Sequence, residues 1–106
     1  MDKPYRRYEL LLPLQFNDGK PVPDELFDET RLELELRFGA LSVESQQIRG
    51  QWVHQGRSYR DGMVRAFVDV PDTDENRQFF IDFKDRLVTR FQQLDIWVTT
   101  HPLEIL

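Results

Sequence analysis

The sequence predicts an α+β domain with the element order βαββαβ, a ferredoxin-like sandwich in which two helices back one face of a four-stranded antiparallel sheet. Three observations predict it. Apolar residues recur at every second position in residues 8–16 and again in residues 59–70, as half-buried strands require. Residues 24–38 and 79–94 instead repeat apolar residues three or four positions apart, which is the spacing of amphipathic helices. A turn signal separates the two middle strands.

Length and composition indicate one ordered domain over residues 1–106. The chain has 106 residues, of which 40% are hydrophobic, and this is enough for a single core. Its formal net charge of -5 argues against binding to a nucleic-acid backbone. The absence of cysteine excludes disulfides and thiol catalysis, and the short apolar run near the start suits neither a signal peptide nor a membrane span. We expect a cytoplasmic protein with no membrane partner.

The first half of the chain predicts a strand followed by a helix. Residues 8–16 form the strand, and turn residues 17–19 lead to a helix that begins near Asp24 and closes at Gly39. Residues 31–38, with the sequence RLELELRF, also alternate as a strand would. Helix is favoured there because Leu, Glu and Arg are better helix formers than strand formers, and no turn interrupts the run after Asp24.

The second half predicts a hairpin, a long helix and a last strand. Residues 41–55 and 59–70 form the hairpin around a turn at residues 55–58. Asp72 and Glu75 have the spacing of a capping box that opens the second helix. The apolar side of that helix comprises Phe79, Phe80, Phe83, Leu87, Phe91 and Leu94. Residues 96–100 form strand four, which is expected to end in a bend at Pro102.

The alternation of side chains along the two strands of the hairpin predicts a candidate site on the sheet face away from the helices. If Val64, Ala66 and Val68 face the helices, the even residues of strand two share the open face with the odd residues of strand three. Leu11 and Trp97 are expected to join that face from strands one and four. The predicted interface or ligand-binding residues are Trp52, His54, Tyr59, Asp61, Met63, Arg65, Phe67 and Trp97. So large an aromatic face predicts a homodimer that packs sheet to sheet, with an interaction or structural role.

Two other functions remain open for the same face. It can form a small-molecule pocket or an active site, with His54 as a general base oriented by Asp61. It can also bind single-stranded RNA, because residues 60–68 loosely echo the basic-glycine-aromatic motif of RNA-recognition domains, although the chain is acidic. His54 and His101 lack the spacing of a metal site, and no glycine-rich loop suits a phosphate. No metal and no cofactor are therefore predicted.

The middle of the chain resembles an uncharacterised family of small bacterial proteins. The segments that carry the resemblance are RFGALSV at residues 37–43, RGQW at residues 49–52 and GRSYRD at residues 56–61. The resemblance covers residues 37–98 and marks Gly50, Gln51, Trp52 and Asp61 as the matching positions. It implies a ferredoxin-like architecture, and it implies no activity.

Overall fold

The chain forms four strands and two helices. The computed structural model describes the backbone of residues 4–39, 42–54 and 57–106, and the side chains of residues 4–39 and 62–106. The elements are β1 (Tyr5–Pro13), α1 (Asp24–Phe38), β2 (Ser42–His54), β3 (Arg57–Pro71), α2 (Asp74–Arg90) and β4 (Val98–Leu103). Their hydrogen-bonded order is β2-β3-β1-β4, and each neighbouring pair is antiparallel.

The predicted four-stranded ferredoxin-like sandwich is wrong as a description of the packed body. The described side chains belong to a three-stranded antiparallel sheet of β1, β3 and β4 and to the two helices, in the chain order β-α-β-α-β. β2 adds to this body as the outer strand of a long hairpin. The alternation of apolar residues in the sequence revealed the strands. It did not reveal that β2 and β3 continue beyond the end of β1, because alternation carries no information on how strands are aligned with one another.

Part of the hairpin extends beyond the three-stranded body. β1 pairs with β3 only from Met63 to Pro71, whereas β2 continues to pair with β3 as far as Arg57. Residues 49–54 and 57–62 therefore form a two-stranded ribbon, which we call the hairpin arm. β3 has 15 residues, and at about 3.3 Å per residue it spans about 50 Å. This length accounts for the longest dimension of the molecule, 52 Å.

The core lies between the helices and one face of the sheet. Along β1 the even-numbered Tyr8, Leu10 and Leu12 are buried, and the alternate positions of β3, Ala66, Val68 and Val70, are buried with them, as predicted. The helices contribute Leu34 from α1 and Phe80, Phe83 and Leu87 from α2, each no more than 2% exposed. Both helices thus cover the same sheet face, which buries most of the apolar area that stabilises the fold.

Residues 31–38 are helical, which confirms the choice made from propensity. α1 runs without interruption from Asp24 to Phe38, and it ends where Gly39 adopts φ 80° and donates its N–H to the carbonyl of Glu35. A residue with a Cβ is strained in that left-handed conformation. The alternation in RLELELRF leaves α1 weakly amphipathic, and Leu32 and Leu36 are accordingly exposed, at 48% and 85%.

The predicted ends of three elements were wrong. β1 occupies residues 5–13 instead of 8–16, and β4 continues through Pro102, which pairs with Arg6 instead of forming a bend. Proline is tolerated there because β4 is an edge strand, where one side needs no backbone donor. α2 ends at Arg90, so Leu94 lies outside the helix and is 83% exposed.

Candidate ligand site

The register of the three body strands arranges the open sheet face in rows. Glu9 is paired with Phe67 and with Thr99, and Arg7 is paired with Asp69 and with His101. The next row joins Arg65, Leu11 and Trp97, and the Leu11 N–H donates to the carbonyl of Trp97 at 3.0 Å. Arg65 and Phe67 therefore share one face, as the sequence predicted, and Trp97 lies opposite Leu11 just before β4.

Much of that face is occupied by ion pairs. Arg7 donates two hydrogen bonds to the carboxylate of Asp69, at 2.7 and 3.0 Å, and its guanidinium lies 4.1 Å from the centre of the Phe67 ring. Arg65 lies 3.8 Å from the carboxylate of Glu9. Phe67 is thus half-buried beneath a cation, and this end of the face offers charge more than apolar area. Sheet-to-sheet dimerisation through it remains a prediction.

The eight predicted site residues do not converge on one point. Tyr59 and Phe67 are eight positions apart on β3, which corresponds to about 26 Å along the strand. Met63, Arg65 and Phe67 lie half-buried on the body, and Trp97 is 64% exposed. The other four predicted site residues lie on the hairpin arm, and their side chains are outside the described residues: Trp52, His54, Tyr59 and Asp61.

The backbone of the arm separates the proposed acid–base pair. His54 is paired with Arg57, and Asp61 is paired with Gly50. Arg57 and Asp61 are four residues apart on β3, so the backbone of the paired His54 and Arg57 lies about 13 Å along the strand from that of Asp61. That distance does not suit a hydrogen bond between an imidazole and the carboxylate that orients it. Trp52 and Tyr59, in contrast, are direct cross-strand partners.

A cavity of about 430 Å³ lies between α1 and the sheet on the helix side. Buried Leu12, Leu34 and Ala66 form its apolar part together with half-buried Phe27 and Val64. The remaining lining residues are Leu14, Asp24, Asp28, Thr30 and Arg31. An apolar wall with a few polar groups is the usual composition of a small-molecule site, and typical volumes are about 300–1,000 Å³.

The charged lining residues all come from the exposed side of α1. Arg31 donates to the Glu35 carboxylate at 3.1 and 3.2 Å and lies 3.6 Å from the Asp28 carboxylate. The hydrogen bond that Arg31 donates to Glu35, followed by the negative charge of Glu35, raises the pKa of Arg31 above its ordinary value, so this cation is permanent. Asp24 and Asp28 add two carboxylates on the same side of the cavity. With Arg31 held by Glu35, the local charge is negative.

Thr30 places a hydroxyl on the inner wall. It is 2% exposed, donates to the carbonyl of Leu26 at 2.8 Å and accepts a hydrogen bond from Arg90 at 2.9 Å. Arg90 also donates to the carboxylate of Glu33, so α2 fixes this part of α1 through hydrogen bonds. The wall of the cavity is therefore held by both helices, which favours a pre-formed site.

Sequence reasoning missed the cavity because it depends on the spacing between α1 and the sheet. One signal was present: Thr30 interrupts the apolar stripe of α1 at a position that the helical period assigns to the core. A buried hydroxyl needs partners, and it marks a place where polar groups enter an apolar layer.

The described part of the chain offers neither a membrane-spanning helix nor a metal-binding cluster. None of the helices described there is long and apolar enough to cross a membrane. Within the same residues, no group of three or more histidine, aspartate or glutamate side chains is arranged to hold a metal ion.

Comparisons with known proteins show similarity of fold without similarity of sequence. No protein-family model and no curated protein matches the chain. A phage SAM lyase in complex with S-methyl-5'-thioadenosine superposes with a TM-score of 0.68 at 12% identity, over 99% of this chain and 93% of that one. A phage SAM lyase in the apo state gives 0.66 at 15% identity, over 96% and 86% of the two chains.

A third solved structure is similar to the chain over only part of its own length. It is a Bacillus cereus protein related to NIF3, with a TM-score of 0.62 at 15% identity. The alignment covers 97% of this chain and 26% of that protein. At these identities the three likenesses establish the fold alone.

Proposed function

We propose that this protein binds a small organic molecule in the cavity between α1 and the sheet. The observation that carries the proposal is the cavity itself, whose 430 Å³ volume suits a drug-sized or nucleoside-sized ligand. Its inner wall is made of the buried Leu12, Ala66 and Leu34 from β1, β3 and α1, so this part of the shape is fixed by the core of the domain. The Thr30 hydroxyl, which donates to Leu26 and accepts from Arg90, has one further acceptor lone pair in this apolar wall.

The ligand class to test first is an adenine nucleoside that carries a sulfur substituent. The support is the fold likeness over nearly the whole of both chains to a phage SAM lyase in complex with S-methyl-5'-thioadenosine. An apolar wall suits the flat face of an adenine ring. Asp24 and Asp28 favour a positively charged ligand, so the sulfonium S-adenosylmethionine should bind more tightly than the neutral thioether.

Titration calorimetry with S-adenosylmethionine and with S-methyl-5'-thioadenosine tests the proposal. Ala66 is 4% exposed and lines the cavity, so Ala66→Leu fills part of the space and should weaken binding of both ligands by about tenfold or more. Asp28→Asn removes one carboxylate and should weaken binding of the sulfonium more than that of the thioether. Chromatography of the same mixtures shows whether either ligand is converted.

The matched control is Ile81→Ala, an exposed apolar site on α2 away from the cavity, which should leave both affinities unchanged. Melting curves of Ala66→Leu show whether the variant is folded, and Asp28→Asn provides a second variant that does not alter the core. Absence of binding of both ligands to the wild-type protein would remove this ligand class. Equal binding by wild type and Ala66→Leu would place the ligand outside the cavity.

A further inference from the structure

The mouth of the cavity between α1 and the sheet carries charges of both signs. Arg31 lines the cavity together with Asp24 and Asp28, and all three residues are exposed, so a ligand can reach them from solvent. S-methyl-5'-thioadenosine has no charged group for such a mouth. S-adenosylmethionine carries, besides its sulfonium, an α-amino acid group in which a carboxylate and an ammonium are attached to the same carbon. The two ligands therefore differ in the part that charged residues can recognise.

Glu35 engages only one nitrogen of Arg31. A guanidinium has five N–H donors. Both hydrogen bonds from Arg31 to the Glu35 carboxylate, at 3.1 and 3.2 Å, are donated by Nη1. Nη2 lies 3.6 Å from the Asp28 carboxylate, which is an ion-pair distance but longer than a normal hydrogen bond. The edge formed by Nε and Nη2 is a fork of the kind that binds a carboxylate through two parallel hydrogen bonds.

Asp28 places a negative charge directly beside that fork. Because the two charged groups of an α-amino acid share one carbon, the ligand carboxylate can lie on Arg31 while the ligand ammonium lies on Asp28. Asp24, one helical turn before Asp28, adds a second negative charge on the side of the ammonium. It disfavours a ligand that carries a carboxylate alone. The sequence of charges along α1 therefore matches a zwitterion better than a simple anion.

We propose that the mouth of the cavity recognises the α-amino acid group of a ligand whose nucleoside part lies inside, with Arg31 on the carboxylate and Asp28 on the ammonium. This inference rests on the proposed function and adds to it the residue that selects among nucleosides, which is Arg31. The amino acid group should increase the affinity by about fivefold, because exposed ion pairs are weakened by solvent. Added salt should reduce this gain.

A panel of ligands separates the amino acid group from the charge on sulfur. S-adenosylmethionine has both, and S-adenosylhomocysteine has the amino acid group without the charge on sulfur. The sulfonium 5'-dimethylsulfonio-5'-deoxyadenosine has the charge alone, and S-methyl-5'-thioadenosine has neither. Titration calorimetry at low ionic strength should show the gain of about fivefold from the amino acid group in both the sulfonium pair and the thioether pair.

Variants of Arg31 test which residue provides the gain. Arg31→Gln should abolish it and leave the affinity for S-methyl-5'-thioadenosine unchanged, whereas Arg31→Lys keeps the charge without the fork and should retain part of it. Arg77→Gln is the matched control, because it removes the same charge at an exposed position of α2, and it should retain the whole gain. Decarboxylated S-adenosylmethionine keeps the ammonium, so its binding should be weakened by Asp28→Asn but not by Arg31→Gln.

The outcomes distinguish a failure of this inference from a failure of the proposed function. If S-adenosylhomocysteine binds to the wild type no more tightly than S-methyl-5'-thioadenosine does, the mouth does not recognise the amino acid group, while binding in the cavity stands. Equal losses in Arg31→Gln and Arg77→Gln would overturn the inference as well, since net charge and not contact with Arg31 would then explain the gain. If none of the ligands binds, the proposed function fails and this inference fails with it.

Discussion

The aromatic ring of Tyr8 lies flat against that of Phe80, with ring centres 4.0 Å apart and an angle of 9° between the planes. The pair joins the middle of β1 to the second turn of α2, and both residues are 2% exposed. Within the described part of the chain, the Tyr8 hydroxyl is buried and has no hydrogen-bond partner. The ring therefore contributes packing, while the hydroxyl loses its hydration without a hydrogen bond from the described residues.

Replacing Tyr8 by phenylalanine should stabilise the protein. Tyr8→Phe keeps the stacked ring and removes the buried hydroxyl, so the free energy of unfolding should rise by about 1 kcal/mol. Tyr8→Leu removes the stacking as well and should lower it. Urea denaturation measures both changes. A loss of stability in Tyr8→Phe would show that the hydroxyl has a partner in the folded protein.

Arg90 should be the most important charged residue for holding the helices together. It is 10% exposed at its side chain, and it donates to Thr30 and to Glu33 across the gap between α2 and α1. Arg90→Met keeps the apolar stem but removes the donor to the buried Thr30 hydroxyl and leaves Glu33 with Arg86 as its donor, so the free energy of unfolding should fall by about 2 kcal/mol.

Two further variants serve as comparisons for the stability of Arg90→Met. Arg90→Lys retains the charge but loses the planar fork of donors, and its stability should lie between those of wild type and Arg90→Met. Arg77→Met, at an exposed position of α2, should change stability by no more than about 0.5 kcal/mol. Equal losses of stability in Arg90→Met and Arg77→Met would mean that the contact of Arg90 with α1 adds no stability.

The structure and the sequence prediction differ in the residue that caps the start of α2. The structure gives Thr73 as the cap, because its hydroxyl accepts the N–H of Asn76 at 3.1 Å, whereas Asp72 pairs with Arg6 at the same distance. Thr73→Ala should lower the melting temperature at a cost of about 1 kcal/mol, and Thr73→Ser should retain the cap. Asp72→Ala should have no further effect in an Arg6→Ala background. If Asp72 were the cap, Asp72→Ala would lower the stability both in the wild-type protein and in the Arg6→Ala variant.

Gly62 and Leu14 should be coupled. A Cβ at residue 62 would lie 3.1 Å from Cδ1 of Leu14, and Leu14 is a lining residue of the cavity. Gly62→Ala alone should reduce the free energy of unfolding by about 1 kcal/mol, because Leu14 must move. In a Leu14→Ala background the same substitution should be neutral or stabilising. A double-mutant cycle measures the coupling, and simple additivity of the two changes would contradict the contact.

The site was less predictable than the elements. Parity assigned Arg65 and Phe67 to one sheet face correctly, because alternation along a strand is fixed by backbone geometry. It gave no information about distance along the strand, and so it grouped Tyr59 with Phe67. The cavity beside Thr30 had almost no signal, since its volume depends on how closely α1 approaches β1 and β3.

By itself, the sequence determined the elements and the buried face of each. The helical period of α2, the alternation in β1 and β3 and the left-handed position of Gly39 are local properties, and each was legible because backbone geometry repeats over a few residues. Only the tertiary structure decided the overlap of the strands, the continuation of β4 through Pro102 and the cavity under α1. These depend on which distant segments meet, and contacts between residues far apart in the chain leave no periodic pattern in a single sequence.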